Sequence, residues 1–119
     1  MGTLPEEGYL LRVFVGECDK KGRIPLYEWI VHRAKKEGIA GATVLRGIEG
    51  YGGHSQIHTA KILQLSTSLP VVIELIDTLE KIDAFMPILE EVISGGLITQ
   101  EKVKIRLLRE KKSDRQVQE

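Results

Sequence analysis

The run Leu69-Pro70-Val71-Val72-Ile73-Glu74-Leu75-Ile76-Asp77 decides the fold. It is short, β-branched and bounded by Pro70 and Asp77, which is the signature of a buried strand. Its alternate positions do not separate by polarity. Val71, Ile73 and Leu75 fall on one side, and Val72 and Ile76 fall on the other, where only Glu74 is charged. A second run, Tyr9 to Gly16 (YLLRVFVG), behaves in the same way: Leu11, Val13 and Val15 alternate with Leu10 and Phe14, broken by Arg12. A sheet covered on one side only should be polar on the other, and this one is not. Burying the four side chains Leu10, Phe14, Val72 and Ile76 is worth about 6–12 kcal/mol of transfer free energy before ordering costs. The expectation is an oligomer whose sheets face one another.

Outward from these runs, residues 24–38 (IPLYEWIVHRAKKEG) predict a helix with Pro25 at its first position. Leu26, Trp29, Ile30 and Ala34 fall on its inner face, Lys35 and Lys36 lie at its negative end, and Gly38 provides a left-handed cap. Residues 41–48 predict a second strand, followed by a loop of about sixteen residues, which is long for a compact domain. Residues 78–94 predict a second helix, with Asp77 and Glu80 as a capping pair and Ile82, Phe85, Met86, Leu89 and Val92 as its apolar stripe. Pro87 inside it should kink it. GGLI then reads as a turn and residues 102–109 (KVKIRLLR) as a fourth strand.

The order βαββαβ predicts an α+β, ferredoxin-like fold, with a four-stranded antiparallel sheet and two helices on one face. The expected domain spans residues 8–109, with an N-terminal tail at 1–7 and a charged C-terminal tail at 110–119.

Composition bounds the function. The 119 residues suit one domain, and 17 basic and 17 acidic side chains cancel. There is therefore no global field for nucleic acid or an anionic membrane. Cys18 is the only cysteine, so neither an intramolecular disulfide nor a cysteine zinc site is expected. The N-terminus lacks the basic and apolar regions of a signal peptide, and no apolar run approaches a membrane span, so a cytoplasmic protein without membrane insertion is expected.

The motif-bearing stretch is Val44 to His58, VLRGIEGYGGHSQIH. Gly50-Tyr51-Gly52 starts a dinucleotide fingerprint, but Ser55 stands where its last glycine belongs, and no Gly-Lys-Ser/Thr ending makes it a P-loop. Gly47-Ile48-Glu49-Gly50 has the form that clamps RNA backbone, yet Glu49 would repel phosphate. Gly47, Gly50, Gly52 and Gly53 still allow backbone N–H groups to approach an anion, or alternatively form a plain hinge. His54 and His58, four apart, are the candidate metal ligands, with solvated loop histidines as the alternative. Lys102, Lys104, Arg106 and Arg109 offer phosphate contacts or an ordinary solvated strand edge. No nucleophile–base pair stands out, so an enzyme is not expected and a small ferredoxin-like enzyme ranks last.

Taken together, GIAGATVLRGIEGYGGH (residues 38–54) resembles the second strand and loop entry of the PII signal-transduction proteins, closest to a PII-like branch known only as a conserved family of unknown function. The resemblance covers residues 8–109. It implies a cytoplasmic homotrimer that binds an adenine nucleotide at inter-subunit clefts and signals to a target protein through the loop at 52–66, with no further cofactor. It assigns Thr43 and Ile76 to adenine, Gly50, Tyr51 and Gly52 to the phosphates, Lys102 to the end of a phosphate loop, and Arg106 and Arg109 to a reach across subunits. The chain departs from the family pattern at several points. Thr99 and Glu101 replace loop glycines, and a carboxylate there would favour AMP or ADP over ATP. Gly53 and His54 replace a basic residue and a glutamine. Residues 54–68 contain no tyrosine, and the spacing of Arg106 and Arg109 is three. The competing expectation is a trimeric metal-binding protein using His54 and His58.

Overall fold

The computed structural model describes residues 6–52, 58–59, 68–109 and 111. Their elements are β1 (Glu7–Gly16), β2 (Lys20–Lys21), β3 (Ile24–Pro25), α1 (Leu26–Lys36), β4 (Gly41–Arg46), β5 (Glu49–Gly50), β6 (His58–Thr59), β7 (Pro70–Asp77), α2 (Leu79–Val92) and β8 (Leu97–Lys104). The four long strands form one antiparallel sheet in the order β4-β7-β1-β8. This is the ferredoxin-like arrangement. β2–β3 and β5–β6 are separate two-residue ribbons.

The sheet is built around its two most apolar strands. In the central pair Leu11 faces Leu75, Val13 faces Ile73 and Val15 faces Val71. These six side chains are buried on one face beneath both helices. Leu26, Ile30 and Ala34 descend from α1 at intervals of four, and Ile82, Phe85 and Leu89 descend from α2 at intervals of three and four, so each helix turns one stripe inward. Trp29, Met86 and Val92 only flank this core. Arg33 lies 5.7 Å from the Trp29 ring centre and donates to Glu37 at 2.8 Å, which keeps that side of α1 wet.

Several local expectations shift. Pro25 precedes α1, acting as its N-cap residue with extended ψ of 137°. Gly38 takes the left-handed φ of 84°, and Lys81 Nζ donates to its carbonyl at 3.2 Å. The α2 cap is Thr78, whose hydroxyl accepts from Lys81 N–H at 3.3 Å; Glu80 makes no reciprocal bond to Asp77. Asp77 is instead the one buried charged residue among the described residues. Its carboxylate accepts from Ala40 N–H at 2.8 Å and Thr78 N–H at 2.6 Å, tying the approach to β4 to the start of α2. Pro87 lies on the exposed side of α2, which continues as one helix to Val92. Nothing in the structure explains its presence.

The largest correction concerns the last strand. It runs from Leu97 to Lys104, not 102–109. Thr99, Gln100 and Glu101 hide it from a pattern search, yet an edge strand tolerates polar side chains because much of it meets water. Gly96 permits the early entry: a Cβ there would sit 2.5 Å from the Phe14 carbonyl oxygen. The strand fades at Lys104 because its partner β1 begins at Glu7.

Asp77→Ala strips two half-buried N–H groups of their acceptor. It should lower the unfolding free energy by about 2–4 kcal/mol, read as a lower urea midpoint at unchanged slope.

Candidate functional site

The glycine stretch leaves β4 and immediately meets Pro70. Gly47 N–H donates to the Pro70 carbonyl at 2.7 Å. A Cβ on Gly47 would lie 2.9 Å from Pro70 Cγ and 3.2 Å from its carbonyl oxygen, and one on Gly50 would lie 3.1 Å from Pro70 Cγ. Close approach to a proline, not positive φ, is why these two positions carry glycine. Among the described residues nothing lies within 4 Å of a Cβ built on Gly52. Gly50 pairs with His58 in the β5–β6 ribbon, and Tyr51 is 72% exposed.

The returning end is held by the turn after β1. Glu17 N–H donates to the Leu69 carbonyl at 2.7 Å, and Cys18 N–H donates to Ser68 Oγ at 3.0 Å. Arg46, the last residue of β4, meets the Glu17 carboxylate at 3.0 Å. One turn therefore clasps both ends of the segment between Gly47 and Ser68. GIEGYGG is thus a fixed base at Gly47 and Gly50 followed by free backbone at Gly52. Such backbone gives an anion room to approach N–H groups.

The other expected site residues fall in two places. Thr43 pairs with Glu74, and Ile76 pairs with Gly41, on the sheet face that the helices leave uncovered. The Ile76 side chain lies over Gly41, where a Cβ would be 2.9 Å from Ile76 Cγ2. Thr43 and Ile76 thus lie on β4 and β7 towards the Asp77 end of β7, whereas Gly50 sits at its Pro70 end, six strand residues or about 20 Å from Ile76. Lys102 lies on the opposite edge strand and does not end a loop. It pairs in register with Tyr9, and its ammonium contacts Glu7 at 2.9 Å. That hydrogen bond, reinforced by the carboxylate charge, raises the Lys102 pKa above its ordinary value. Raising the pH through that raised value neutralises the ammonium and breaks the ion pair. Arg106 and Arg109 do not close a strand. They follow β8 in irregular backbone and are exposed.

Within one chain Gly50 and Lys102 cannot meet. Gly50 sits against Pro70 at the start of β7, whereas Lys102 is level with Asp77 at its end; seven strand residues separate those ends by about 23 Å.

The uncovered face also holds a feature that the sequence showed only as two isolated charges. Arg12 donates to Glu74 at 3.0 Å and to Glu101, spanning β7, β1 and β8. These hydrogen bonds, the one to Glu101 first, raise the Arg12 pKa. Glu101 is consequently a strand residue with a partner, and its expected repulsion of a triphosphate in a loop does not apply. Thr99 likewise lies in β8, opposite Arg12.

The family model described as "Uncharacterized ACR, COG1993" matches residues 8–105. The chain belongs to the DUF190 family. A UPF0166 protein of Aquifex aeolicus (strain VF5) is 46% identical over 99 residues, covering 81% of this chain and 90% of that protein. A UPF0166 protein of Methanocaldococcus jannaschii is 42% identical over 90 residues, covering 75% and 82%. Among solved structures, CPII from Thiomonas intermedia K12 bound to ADP and bicarbonate superposes with a TM-score of 0.56 at 14% identity, covering 83% of this chain and 88% of that one. The same protein, described as a nitrogen regulatory PII-like protein and bound to ADP, AMP and bicarbonate, gives 0.57 at 14% with the same coverage. This DUF190 chain therefore has the PII-like form of the ferredoxin-like fold.

Of the candidate metal ligands, His54 lies outside the described residues and His58 sits in β6. Among the described residues no three His, Cys, Asp or Glu side chains converge, and no helix is long and apolar enough to cross a membrane. Cys18 is a free, exposed thiol.

Gly47→Val should break the clasp. The branched side chain meets Pro70, so the Gly47 amide should lose its protection from hydrogen exchange and stability should fall by about 1–3 kcal/mol. Gly52→Ala, with nothing to strike among the described residues, should stay within about 0.5 kcal/mol of the parent.

Proposed function

We propose that this protein is a ligand-sensing regulator that binds an adenine nucleotide in clefts between copies of itself, assembled as a trimer. The separation of the two candidate groups carries the proposal. Thr43, Ile76, Gly50, Tyr51 and Gly52 belong to the β4 side of one chain. Lys102 lies in β8 with Arg106 and Arg109 after it, and a nucleotide touching both Gly50 and Lys102 needs two chains. The uncovered apolar face supplies a reason for such chains to associate. Its ions are already bonded within the chain, so it asks mainly apolar contact of a partner, and a copy of the same face offers that contact.

Adenine would rest beside Thr43 and Ile76. The phosphates would meet the free backbone after Gly50, with an arginine from the neighbouring copy as a bidentate partner. The fold shared with CPII, whose solved structures hold ADP or ADP with AMP, supports an adenine nucleotide and favours AMP or ADP over ATP. The segment at 52–66 continues directly from the phosphate side. Ligand would bias its conformation and so its affinity for a target protein. No step of this function requires a catalytic group.

Calorimetric titration with AMP, ADP, ATP and cyclic AMP tests the proposal. One nucleotide per chain at micromolar affinity is expected, with AMP or ADP tightest. Arg106→Ala should weaken it at least about tenfold, the loss of one charge-assisted contact. Gly50→Val should do the same by forcing the backbone off Pro70. Silence across all four nucleotides would overturn it. Limited proteolysis within 52–66 should change at saturating nucleotide, and unchanged cleavage would remove the signalling role from that segment.

A further inference from the structure

The turn from Gly16 to Asp19, between β1 and the β2–β3 ribbon, is tied in three directions. Towards β7, Glu17 N–H donates to the Leu69 carbonyl at 2.7 Å and Cys18 N–H donates to Ser68 Oγ at 3.0 Å. Towards β4, the Glu17 carboxylate accepts twice from Arg46, from Nε at 3.0 Å and from Nη2 at 3.1 Å. Towards α1, the Asp19 carbonyl accepts from Leu26 N–H at 2.7 Å. Gly16 N–H closes the turn on itself by donating to the Asp19 carboxylate at 2.9 Å. The seat is close: a Cβ on Gly16 would lie 2.8 Å from Ser68 Oγ.

This joint is separate from the core. The β1–β7 ladder ends at Gly16 and Pro70, so the turn lies beyond its last pair. Leu69 is buried but stands outside the main apolar cluster. The Arg46 and Glu17 side chains are 63% and 28% exposed. Surface bonds past the end of a ladder open at lower free energy than the core.

We infer that the turn is a latch. Gly16 to Asp19 opens and closes as one unit, held shut by the two-pronged Arg46–Glu17 pair, and its opening frees the base of the connection after β4 and the first turn of α1 together. Shared residues are the reason. Glu17 is bonded to β4 through its carboxylate and to Leu69 through its N–H, so it cannot leave one without straining the other. Asp19 follows two residues later. The N-cap residue of α1, Pro25, makes no side-chain cap bond, so the Leu26 N–H depends on the Asp19 carbonyl. The latch stands on these contacts alone. Its use as a relay, by which ligand at the connection is felt at α1, rests on the ligand-sensing role proposed above.

Amide hydrogen exchange of the full chain, read residue by residue by NMR without ligand, tests the latch. The Glu17, Cys18, Leu26 and Gly47 amides should share one opening constant to within about twofold, at least about tenfold above that of Val13 in the core. Arg46→Gln keeps the stem and removes the fork. It should speed all four about two- to fivefold, the modest effect of a partly exposed pair, and leave Val13 unchanged. Raising sodium chloride from about 50 to about 500 mM should speed them in the parent and not in Arg46→Gln.

If Arg46→Gln speeds Gly47 and Glu17 but leaves Leu26 at the parent rate, the turn does not act as a unit and the inference is overturned. Exchange of all four at the Val13 rate overturns it equally, because the joint then opens only with the core. The relay is read separately with ADP. Where calorimetry shows ADP bound, the four rates should shift together. ADP bound with those rates unmoved removes the relay and leaves nucleotide binding intact. No ADP bound, with the four rates still moving together under Arg46→Gln and salt, removes the nucleotide reading and leaves the latch.

Discussion

The antiparallel ladder between β1 and β7 puts Leu11, Val13 and Val15 against Leu75, Ile73 and Val71 on one side of the sheet, and turns Leu10, Phe14, Val72 and Ile76 to the other. Both helices cover the first side. Because the strand period is two, no shift of register could bury both sets beneath those helices. The second set must therefore be shared with something outside the chain, and the rest of the molecule is arranged around that constraint. Thr43 and Lys102 sit on the two edge strands, the ionic groups are paired on the face itself, and the long connection leaves from the end of β4.

The same constraint explains why the candidate site is incomplete in one chain. β4 and β8 are the two outer strands, separated by the central pair. Residues that would hold a ligand from both sides are kept apart by the width of the sheet and by most of the length of β7. Burial of the uncovered face and completion of the site then become one event. A ligand bridging two chains would add to their association, and association would in turn raise affinity for the ligand.

The loop base shows how a long connection can be firmly anchored at its ends. Gly47 and Gly50 close onto Pro70 by contacts that a Cβ would obstruct, and Glu17 reaches Arg46 on one end while its N–H holds Leu69 on the other. In the same turn the Asp19 carbonyl accepts from Leu26 N–H at the start of α1. A strain at the glycines is thereby in mechanical contact with the first helix as well as with the sheet.

Much of this was legible in the residues. Apolar alternation in 9–16 and 69–77, helical spacing in 24–38 and 78–94, and glycines at 38 and 47–53 were enough for the order of elements and for the second apolar face, because periodicity and turn chemistry are local properties. Leu97 and Ile98 read as the end of a turn, and Thr99 and Glu101 as loop residues, because an edge strand need not alternate, and the misplacement carries Lys102, Arg106 and Arg109 with it. Asp77 was read as a cap, whereas its carboxylate serves a backbone amide 37 residues away. By itself the sequence determined which segments are strands and helices in the core and that the sheet has two apolar sides. Only the tertiary structure decided that Arg12 bridges Glu74 and Glu101, that Gly47 is held by Pro70, and that the candidate ligand residues lie at opposite edges. Those relations depend on strand order and register, which are set by long-range pairing that no local pattern encodes.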